Sequence, residues 1–218
     1  MLHRVSVYEK YIKRCLDLVF ALIALFILSP LLLVLIVIGT VKMKGNPFFT
    51  QERIGKNEKI FNLVKFRTMT NEKDKEGKLL PDEKRLTKYG KFLRSTSLDE
   101  LPELINIICG QLSFLGPRPL LVSYLPYYTD EERHRHDVVP GLTGLSQVSG
   151  RNYVTWEDKF AMDLEYINNL SFILDISILF KTVEVVIKRE NIETSSAIVH
   201  DGVLYRPLDV ERAQNKKY

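Results

Sequence analysis

Apolar residues are distributed unevenly along this chain, and the densest stretch lies near its amino terminus. Leu18 to Val41 carries no charged residue, and Ser29-Pro30 divides it near its middle. As one straight helix this stretch would extend roughly 36 Å, enough to cross a hydrocarbon core of about 30 Å. A cleaved signal peptide is the alternative, but the stretch is longer than a typical signal core and no small-x-small cleavage site follows it. The pattern therefore predicts a membrane helix.

Pro30 disturbs the helical hydrogen bonding of this segment. It cannot donate to the carbonyl of Phe26, and its ring clashes with that turn, so we expect a kink. The Ser29 hydroxyl can bond back to the carbonyl of Leu25 or Phe26, a group that lipid leaves without a partner. A re-entrant helix broken at Ser29-Pro30 and an ordinary kinked spanning helix fit this pattern equally well.

The charges on both sides of the apolar stretch bear on its orientation. Basic residues flank it in nearly equal number: Arg4, Lys10, Lys13 and Arg14 before it, and Lys42, Lys44, Arg53 and Lys56 after it. The positive-inside rule acts through a difference between flanks, and here there is almost none. Both ends are therefore expected on the cytoplasmic side, and residues 1–44 form the predicted membrane segment with its flanks.

The rest of the chain alternates short apolar segments with polar loops. Phe48 to Glu52 and Lys59 to Thr68 have strand character on either side of a turn at Gly55, which predicts a β-hairpin. Residues 70–85 are polar and charged, and predict a solvated, mobile loop. Apolar spacing predicts helices over four segments: Tyr89 to Leu93, Leu98 to Cys109, Trp156 to Asn168 and Ser171 to Ile187. The predicted fold class is α+β: a membrane helix followed by a small, mostly helical cytoplasmic domain with one short hairpin.

The last predicted helix, Ser171 to Ile187, is strongly apolar and has basic residues toward its end, at Lys181, Lys188 and Arg189. This pattern is typical of an amphipathic helix in the membrane interface. A core helix of the globular domain fits the pattern equally well. No clear structural signal follows Asn191, so we take residues 45–192 as the catalytic domain and 193–218 as a divergent tail.

Composition narrows the environment of the chain. The formal net charge is +4 over 218 residues. This excess is too small and too spread out for a nucleic-acid-binding arm, but it suits an anionic membrane surface or phosphorylated substrates. The two cysteines, Cys15 and Cys109, lie in contexts that predict burial in lipid or core. No disulfide framework is expected, which places the domain on the reducing side of the membrane.

Two adjacent carboxylates, Asp99 and Glu100, are the first candidates for chemistry. One interpretation is a capping box, with Ser97 as the N-cap residue and Glu100 bonding back to it. Pro102 argues against a regular helix start, because it would leave the Leu98 carbonyl unpaired. The functional interpretation uses the adjacency: neighbours on a helix point in different directions, so one carboxylate can face a phosphorus atom while the other holds a metal ion. Mg²⁺ suits such oxygen ligands.

Cations that could bind a diphosphate are spread over several motifs: Lys65, Arg67, Arg94, Arg118 and Arg151. The planar fork of arginine matches phosphate oxygens in a way that lysine cannot. Each of these residues alone is more often a solvated surface charge, except Arg118, which is held between two prolines. The histidines show no zinc-binding pattern, and His134 and His136 are expected to be solvated.

Five motifs occur in one order along the chain: Arg53-Ile54-Gly55-Lys56, Lys65-Phe66-Arg67-Thr68-Met69, Leu93 to Pro102, Gly116-Pro117-Arg118-Pro119 and Pro140 to Gly144. Together they resemble the bacterial sugar transferases, and more narrowly the small monotopic phosphoglycosyl transferases. The resemblance covers about Tyr11 to Ile192, nearly the whole chain. One departure follows the last motif, where Leu145 stands in place of the tryptophan that is usual in the family.

The resemblance implies roles for particular residues. It implies a re-entrant membrane helix broken at Ser29-Pro30, which enters and leaves on the cytoplasmic face of the bacterial inner membrane. It implies that Asp99 is the catalytic nucleophile and that Glu100 is a catalytic Mg²⁺ ligand. Five residues match further functional positions of the family and, with Arg67, form the predicted substrate-binding set: Lys65, Arg94, Arg118, Arg151 and Asp163.

The activity implied by the resemblance is transfer of a sugar-1-phosphate from a UDP-sugar to polyprenyl (undecaprenyl) phosphate, with release of UMP. The reaction would pass through a phosphosugar bound to Asp99 and form the first membrane step of glycoconjugate or polysaccharide biosynthesis. Mg²⁺ is the expected cofactor, and the expected partners are UDP-sugar, polyprenyl phosphate and membrane lipid, with no nucleic acid; a homodimer is left open. The alternative from another class is a membrane-anchored binding module, which would need neither the acidic pair nor Arg118. A larger hexose-1-phosphate transferase is a nearer alternative, and the absence of further N-terminal spans favours the small form.

Overall fold

The computed structural model describes residues 5–149, 155–188, 198–200, 203–205 and Leu208. The predicted α+β class is confirmed, since these residues are mostly helical with three small two-stranded sheets. The helices are α1 (Arg14–Lys42), α2 (Asp82–Arg85), α3 (Lys88–Ser95), α4 (Glu103–Ile108), α5 (Asp130–Arg133), α6 (Leu145–Ser149), α7 (Trp156–Asn168) and α8 (Phe172–Lys188). The strands are β1 (Phe48–Ile54), β2 (Ile60–Phe66), β3 (Ser113–Leu115), β4 (Gly141–Thr143), β5 (Ile198–His200) and β6 (Val203–Tyr205).

The long helix α1 runs through Pro30 without interruption. The Ser29 hydroxyl donates to the Phe26 carbonyl at 2.8 Å. This carbonyl is the group that Pro30, which lacks an N–H, leaves without its helical partner. The predicted back-bond is confirmed, and it shows how the helix tolerates proline at its centre. The expected break at Ser29-Pro30 is not an interruption of the helix, because the hydroxyl supplies the missing donor.

One helix among the described residues, Tyr8–Lys42, is long and apolar enough to cross a membrane. Its most apolar window has a mean hydropathy of 3.2, and only 11% of that window is buried inside the protein. The exposed side chains include Phe26, Ile27 and Val37. Exposure of such a large apolar surface to water is unfavourable, so this surface fits contact with lipid.

Both ends of α1 contact the same globular part of the chain. Near its start, Arg14 donates to the carbonyls of Ile107 and Ile108 at 2.6 and 2.8 Å. Near its end, the Tyr89 hydroxyl donates to the Leu35 carbonyl at 3.0 Å. The globular part therefore lies along the length of α1 and not at one end of it.

The predicted hairpin is confirmed as the antiparallel pair β1–β2. Phe61 and Leu63 of β2 are buried in one hydrophobic cluster with Leu104 and Ile107 of α4. Because side chains two residues apart on a strand share a face, Lys65 follows them on the side that packs against α4. The strand periodicity thus carries the Lys65 ammonium to the start of α4.

Helix α8 has one buried face and one exposed apolar face. Asp175 and Ile178 are buried, whereas Ile173, Phe180 and Ile187 are 80%, 72% and 75% exposed. The core-helix interpretation is therefore wrong, because a core helix buries its apolar side chains on all sides. An amphipathic helix with a free apolar face fits a membrane interface.

Three smaller expectations differ from the structure. Cys15 and Cys109 are exposed, so neither is buried in the protein core. His136 is 4% exposed and not solvated, because its ring packs edge-on against Tyr128 with centroids 5.2 Å apart. In the tail, β5 and β6 pair antiparallel where no element was predicted. The domain boundaries at residues 44 and 192 stay predictions.

Candidate active site

The acidic pair lies on an irregular turn that leads into α4. Leu98–Glu100 forms one turn of 3₁₀-helix, and Ser97 before it is left-handed, with φ 53°. An N-cap residue normally has an extended backbone, and the Ser97 side chain makes no cap hydrogen bond, so the capping box is wrong. The irregular start is confirmed: the Leu101 N–H donates to the Leu98 carbonyl at 3.3 Å, the acceptor that Pro102 cannot serve.

Two cations hold Glu100. Its Oε1 lies 2.7 Å from Lys65 Nζ and 3.1 Å from Arg118 Nη2. Burial by itself would raise the pKa of Glu100, but the charges of Arg118 and Lys65 outweigh burial and hold this pKa well below its usual range. Glu100 is therefore an ionised carboxylate whose orientation is set by two basic side chains.

A third carboxylate, Glu103, belongs to the same cluster and was missed by the sequence analysis. It is 3% exposed, and its Oε1 lies 3.0 Å from Lys65 Nζ. Burial and the charge of Glu100 raise the pKa of Glu103, although Lys65 opposes them. Lys65 thus bridges two carboxylates. The spacing of three residues from Glu100, which puts both on one helical face, was the signal that could have found it.

Asp99 is half-buried beside the same cluster. Burial and the charge of Glu100 raise the pKa of Asp99, whereas Lys65 and Arg94 act to lower it. Arg94, on α3, donates from Nε to Thr68 Oγ1 at 3.1 Å, which fixes the arginine close to the end of β2. Asp99 is therefore a partly desolvated carboxylate with cations beside it, an environment suited to attack on a phosphate.

The backbone of Arg118 is held by a hydrogen bond from a buried arginine, Arg135. The Arg118 carbonyl accepts a hydrogen bond from Arg135 Nη2 at 2.8 Å. Arg135 is itself buried, with its guanidinium stacked over the rings of Tyr128 and Phe160. This backbone contact holds the segment that presents the Arg118 side chain to Glu100. Arg135 lies in a stretch whose charges suggested surface exposure, and sequence alone gave no sign of its burial.

Asp163 lies in this buried support and does not face Asp99 or Glu100. Its Oδ2 lies 2.7 Å from Arg135 Nη2, and its Oδ1 accepts from the Ser146 hydroxyl at 2.9 Å. Both oxygens are thus engaged by protein groups, and Asp163 is linked through Arg135 to the Arg118 backbone. Its predicted substrate contact stays a prediction.

Arg53 also lies at the cluster, although it was not among the residues predicted to bind substrate. A narrow recess of about 10 Å³ has charged residues from several segments in its lining: Arg53, Lys65, Glu103 and Arg118. Arg53 pairs with Phe61 across the hairpin. Since cross-strand partners share a face, the predicted hairpin register could have placed Arg53 on the same side as Lys65.

Among the described residues of the predicted basic set, Arg67 stands apart from this cluster. Arg67 is half-buried just beyond β2, and its side chain makes no hydrogen bond or ion pair within the part of the chain that the structure describes. Arg151 lies outside the described residues. The structure therefore brings together Lys65, Arg94 and Arg118 from the predicted set and adds Arg53 to them.

The carboxylates of this cluster are the candidate oxygen donors for a divalent cation. The described residues contain no group of three or more His, Cys, Asp or Glu side chains placed to hold a metal ion. Mg²⁺ is often bound through one or two carboxylates, with substrate phosphates and water completing its shell. Glu100 and Glu103 offer such oxygens, so the residues present fit an ion that binds together with a phosphorylated substrate.

Comparisons with known proteins find relatives along most of this chain. The family profile described as bacterial sugar transferase matches residues 8–189. The uncharacterized sugar transferase EpsL of Bacillus subtilis (strain 168) is 47% identical over 187 residues, which cover 86% of this chain and 93% of that protein. The undecaprenyl-phosphate galactose phosphotransferase of Salmonella typhimurium is 37% identical over 201 residues, 84% of this chain and 42% of that protein. The UDP-glucose:undecaprenyl-phosphate glucose-1-phosphate transferase of Klebsiella pneumoniae is 40% identical over 181 residues, 78% of this chain and 39% of that protein. The chain thus spans less than half the length of these last two relatives.

Proposed function

The chain belongs to the bacterial sugar transferase family, as its motifs indicated, and on this premise we propose that it transfers a sugar-1-phosphate from a UDP-sugar to a polyprenyl phosphate, releasing UMP. Two relatives carry undecaprenyl phosphate in their names, one with galactose and one with glucose-1-phosphate. The observation that carries the proposal is the cluster at the start of α4. There the adjacent carboxylates Asp99 and Glu100 lie among cations suited to a diphosphate.

The first step is attack by Asp99 on the sugar-side phosphorus of the donor. A bond forms between a carboxylate oxygen and this phosphorus, and the bond from phosphorus to the bridging oxygen breaks. UMP leaves with the electron pair of that bond, and the phosphosugar stays on Asp99 as an acyl phosphate. Lys65 and Arg94 lie beside Asp99 and offset the negative charge of the phosphoryl oxygens.

The second step regenerates the free carboxylate of Asp99. An oxygen of polyprenyl phosphate attacks the same phosphorus, the bond to Asp99 breaks, and the lipid carries away the sugar as a diphosphate. Donor and acceptor are both phosphate anions, and bringing them together in a partly dry site would cost like-charge repulsion. Two steps avoid this encounter, because UMP departs before the lipid phosphate attacks.

We propose Mg²⁺ as the cofactor, with Glu100 as its protein ligand. When bound, the ion supplies positive charge that neutralises the diphosphate and makes UMP a better leaving group. Glu103 lies 3.0 Å from Lys65 Nζ and would keep a carboxylate beside the lysine if Glu100 were to bind the ion. The lysine would therefore stay in place for the phosphoryl group.

The contacts of α1 support a re-entrant or interfacial position at the cytoplasmic face of the inner membrane. The domain touches α1 at Arg14 and again at Leu35. These positions are separated along the helix by about 30 Å, which equals the thickness of the hydrocarbon core. A helix standing upright across the bilayer would drag the polar domain into lipid. With both ends on one side, the active site stays at the depth of the lipid headgroups.

Cysteine labelling tests this placement. Lys10 and Lys44 are replaced one at a time by cysteine in a background without Cys15 and Cys109. An impermeant maleimide added outside intact cells is expected to leave both positions unmodified, since both flanks face the cytoplasm. Both should react after lysis, which is the control. Reaction of one flank alone in intact cells would show a spanning helix.

Turnover tests the activity itself. The purified protein, incubated with polyprenyl phosphate, Mg²⁺ and a panel of radiolabelled UDP-sugars, is expected to move label into an organic-extractable lipid and to release UMP for one of them. Excess chelator should stop both signals, because the diphosphate and Asp99 are all anionic. Label that stays water-soluble with every sugar would favour the membrane-anchored binding module. Undiminished turnover in chelator would rule out the metal.

A further inference from the structure

We infer that Arg53 binds the nucleotide-side phosphate of the donor, the group that leaves as UMP. This inference rests on the proposed function and deepens it. It assigns to Arg53 and Arg118 together the phosphate that Asp99 does not attack. The sugar-side phosphate is left to Lys65 and Arg94.

The charge of Arg53 has only neutral partners in the described part of the chain. Its guanidinium donates to the Gln51 side-chain oxygen at 2.7 Å and to the Pro119 carbonyl at 3.3 Å. Its Nε is buried with no hydrogen-bond partner there. No carboxylate of the described residues lies within ion-pair distance of it, although Glu103 lines the same recess. A partly buried cation with donors to spare is prepared for an anion that is not part of the protein.

A second cation, Arg118, lies close enough to repel Arg53, and a bound anion would relieve this repulsion. Burial and the charge of Arg118 lower the pKa of Arg53, which means that its positive charge is held at a cost. Phosphate oxygens placed between the two guanidinium groups would convert this repulsion into two attractions. The planar forks of two arginines suit such bidentate contacts.

The arrangement of charged residues indicates which phosphate of the donor would lie beside Arg53. The charges that act on Asp99 are those of Glu100, Lys65 and Arg94. Those that act on Arg53 are Arg118, Glu103 and Glu100, besides the Tyr124 hydroxyl. Glu100, the chain neighbour of Asp99, contacts Arg118 at 3.1 Å, and Arg118 lines the same recess as Arg53. A diphosphate with its sugar-side phosphorus at Asp99 therefore extends its other phosphate toward Arg118 and Arg53.

The recess has a size that fits part of a phosphate. At about 10 Å³ it holds one oxygen-sized group and not a whole phosphate. Arg118, which also lines the recess, is half exposed, with 47% of its side chain accessible. One phosphate oxygen would enter the recess toward Arg53 while the others stay near Arg118.

Measuring the two half-reactions separately distinguishes binding of the UMP phosphate by Arg53 from a general effect of Arg53 on catalysis or folding. Arg53→Gln is compared with the wild type and with Lys59→Gln, an exposed lysine in the turn of the same hairpin. Formation of the Asp99 adduct from UDP-sugar is expected to slow by about 10- to 100-fold in Arg53→Gln, as for loss of a charge-assisted contact. Discharge of preformed adduct by polyprenyl phosphate should keep its rate, because UMP has already left. The dissociation constant of UMP should rise by a similar factor, and Lys59→Gln should match the wild type in all three measurements.

Other results would overturn the inference. Wild-type adduct formation and wild-type UMP affinity in Arg53→Gln would show that Arg53 does not touch the donor. Equal slowing of both half-reactions, with a lowered melting temperature, would show a structural role. If Arg53→Gln does not fold, Arg53→Lys keeps the charge but loses the fork, and weaker UMP binding with unchanged discharge would still support the inference. If the wild type forms no adduct at all, the proposed two-step reaction fails, while the affinity for UMP still reports on Arg53.

Discussion

Asp99→Asn is expected to abolish the covalent adduct and to reduce turnover by at least about 10³-fold, as for loss of a nucleophile. An amide is a poor nucleophile and cannot form the acyl phosphate through which the proposed reaction passes. The measurement is the mass of the intact protein after incubation with UDP-sugar alone. The wild type should gain the mass of one phosphosugar, and the variant should gain nothing.

The stability of Asp99→Asn provides the control. Folding raises the pKa of Asp99, so at pH 7 the ionised carboxylate destabilises the folded protein. Asparagine removes this charge and keeps the shape, and the melting temperature is therefore expected to stay the same or to rise. Substantial turnover by the variant, or kinetics that require both substrates bound at once, would establish direct transfer and leave Asp99 a supporting role.

The second large effect is expected at Asp163. Asp163→Asn removes the only negative charge that pairs with Arg135 among the described residues and leaves a buried guanidinium uncompensated. Breaking a buried pair in this way costs about 3–5 kcal/mol, which for a chain of this size lowers the melting temperature by about 6–20 °C. Thermal unfolding of the detergent-solubilised protein measures the shift. Turnover should fall as well, because Arg135 no longer holds the Arg118 backbone in place.

Glu165→Gln is the matched control for Asp163. Glu165 is an exposed carboxylate on the same helix, α7, so its replacement should change the melting temperature by less than about 1 °C and leave turnover intact. If Asp163 instead touches substrate, Asp163→Asn would lose turnover with an unchanged melting temperature. That combination would support the direct substrate contact inferred from the family resemblance.

Local patterns were sufficient to locate most of the secondary structure. The predicted helix Trp156 to Asn168 coincides with α7, and the predicted hairpin is β1–β2. These predictions succeeded because apolar periodicity follows directly from the geometry of a helix or a strand. The outcome at Ser29 was predictable for the same reason, since the hydroxyl and the carbonyl freed by Pro30 are neighbours in one turn.

The candidate site was partly predictable. The adjacent carboxylates Asp99 and Glu100 and the proline-bounded Arg118 are visible as motifs, and the structure places all three in one cluster. Glu103 and Arg53 could have been added from helical spacing and hairpin register. Predicting either residue as part of the site requires only the geometry of its own helix or strand and of the adjacent segment.

The sequence by itself determined the membrane-length helix, the hairpin β1–β2, helices α7 and α8, and the acidic pair with Lys65, Arg94 and Arg118 as candidates for phosphate chemistry. Only the tertiary structure decided which charges are buried and what each one holds. Asp163 and Arg135 are distant in sequence and meet only because α7 packs against the segment around His134–His136. The energy of a charge depends on its desolvation and on the partners that surround it. Both are properties of the packed chain, so a motif can name a charged residue without showing whether it meets substrate or supports the residue that does.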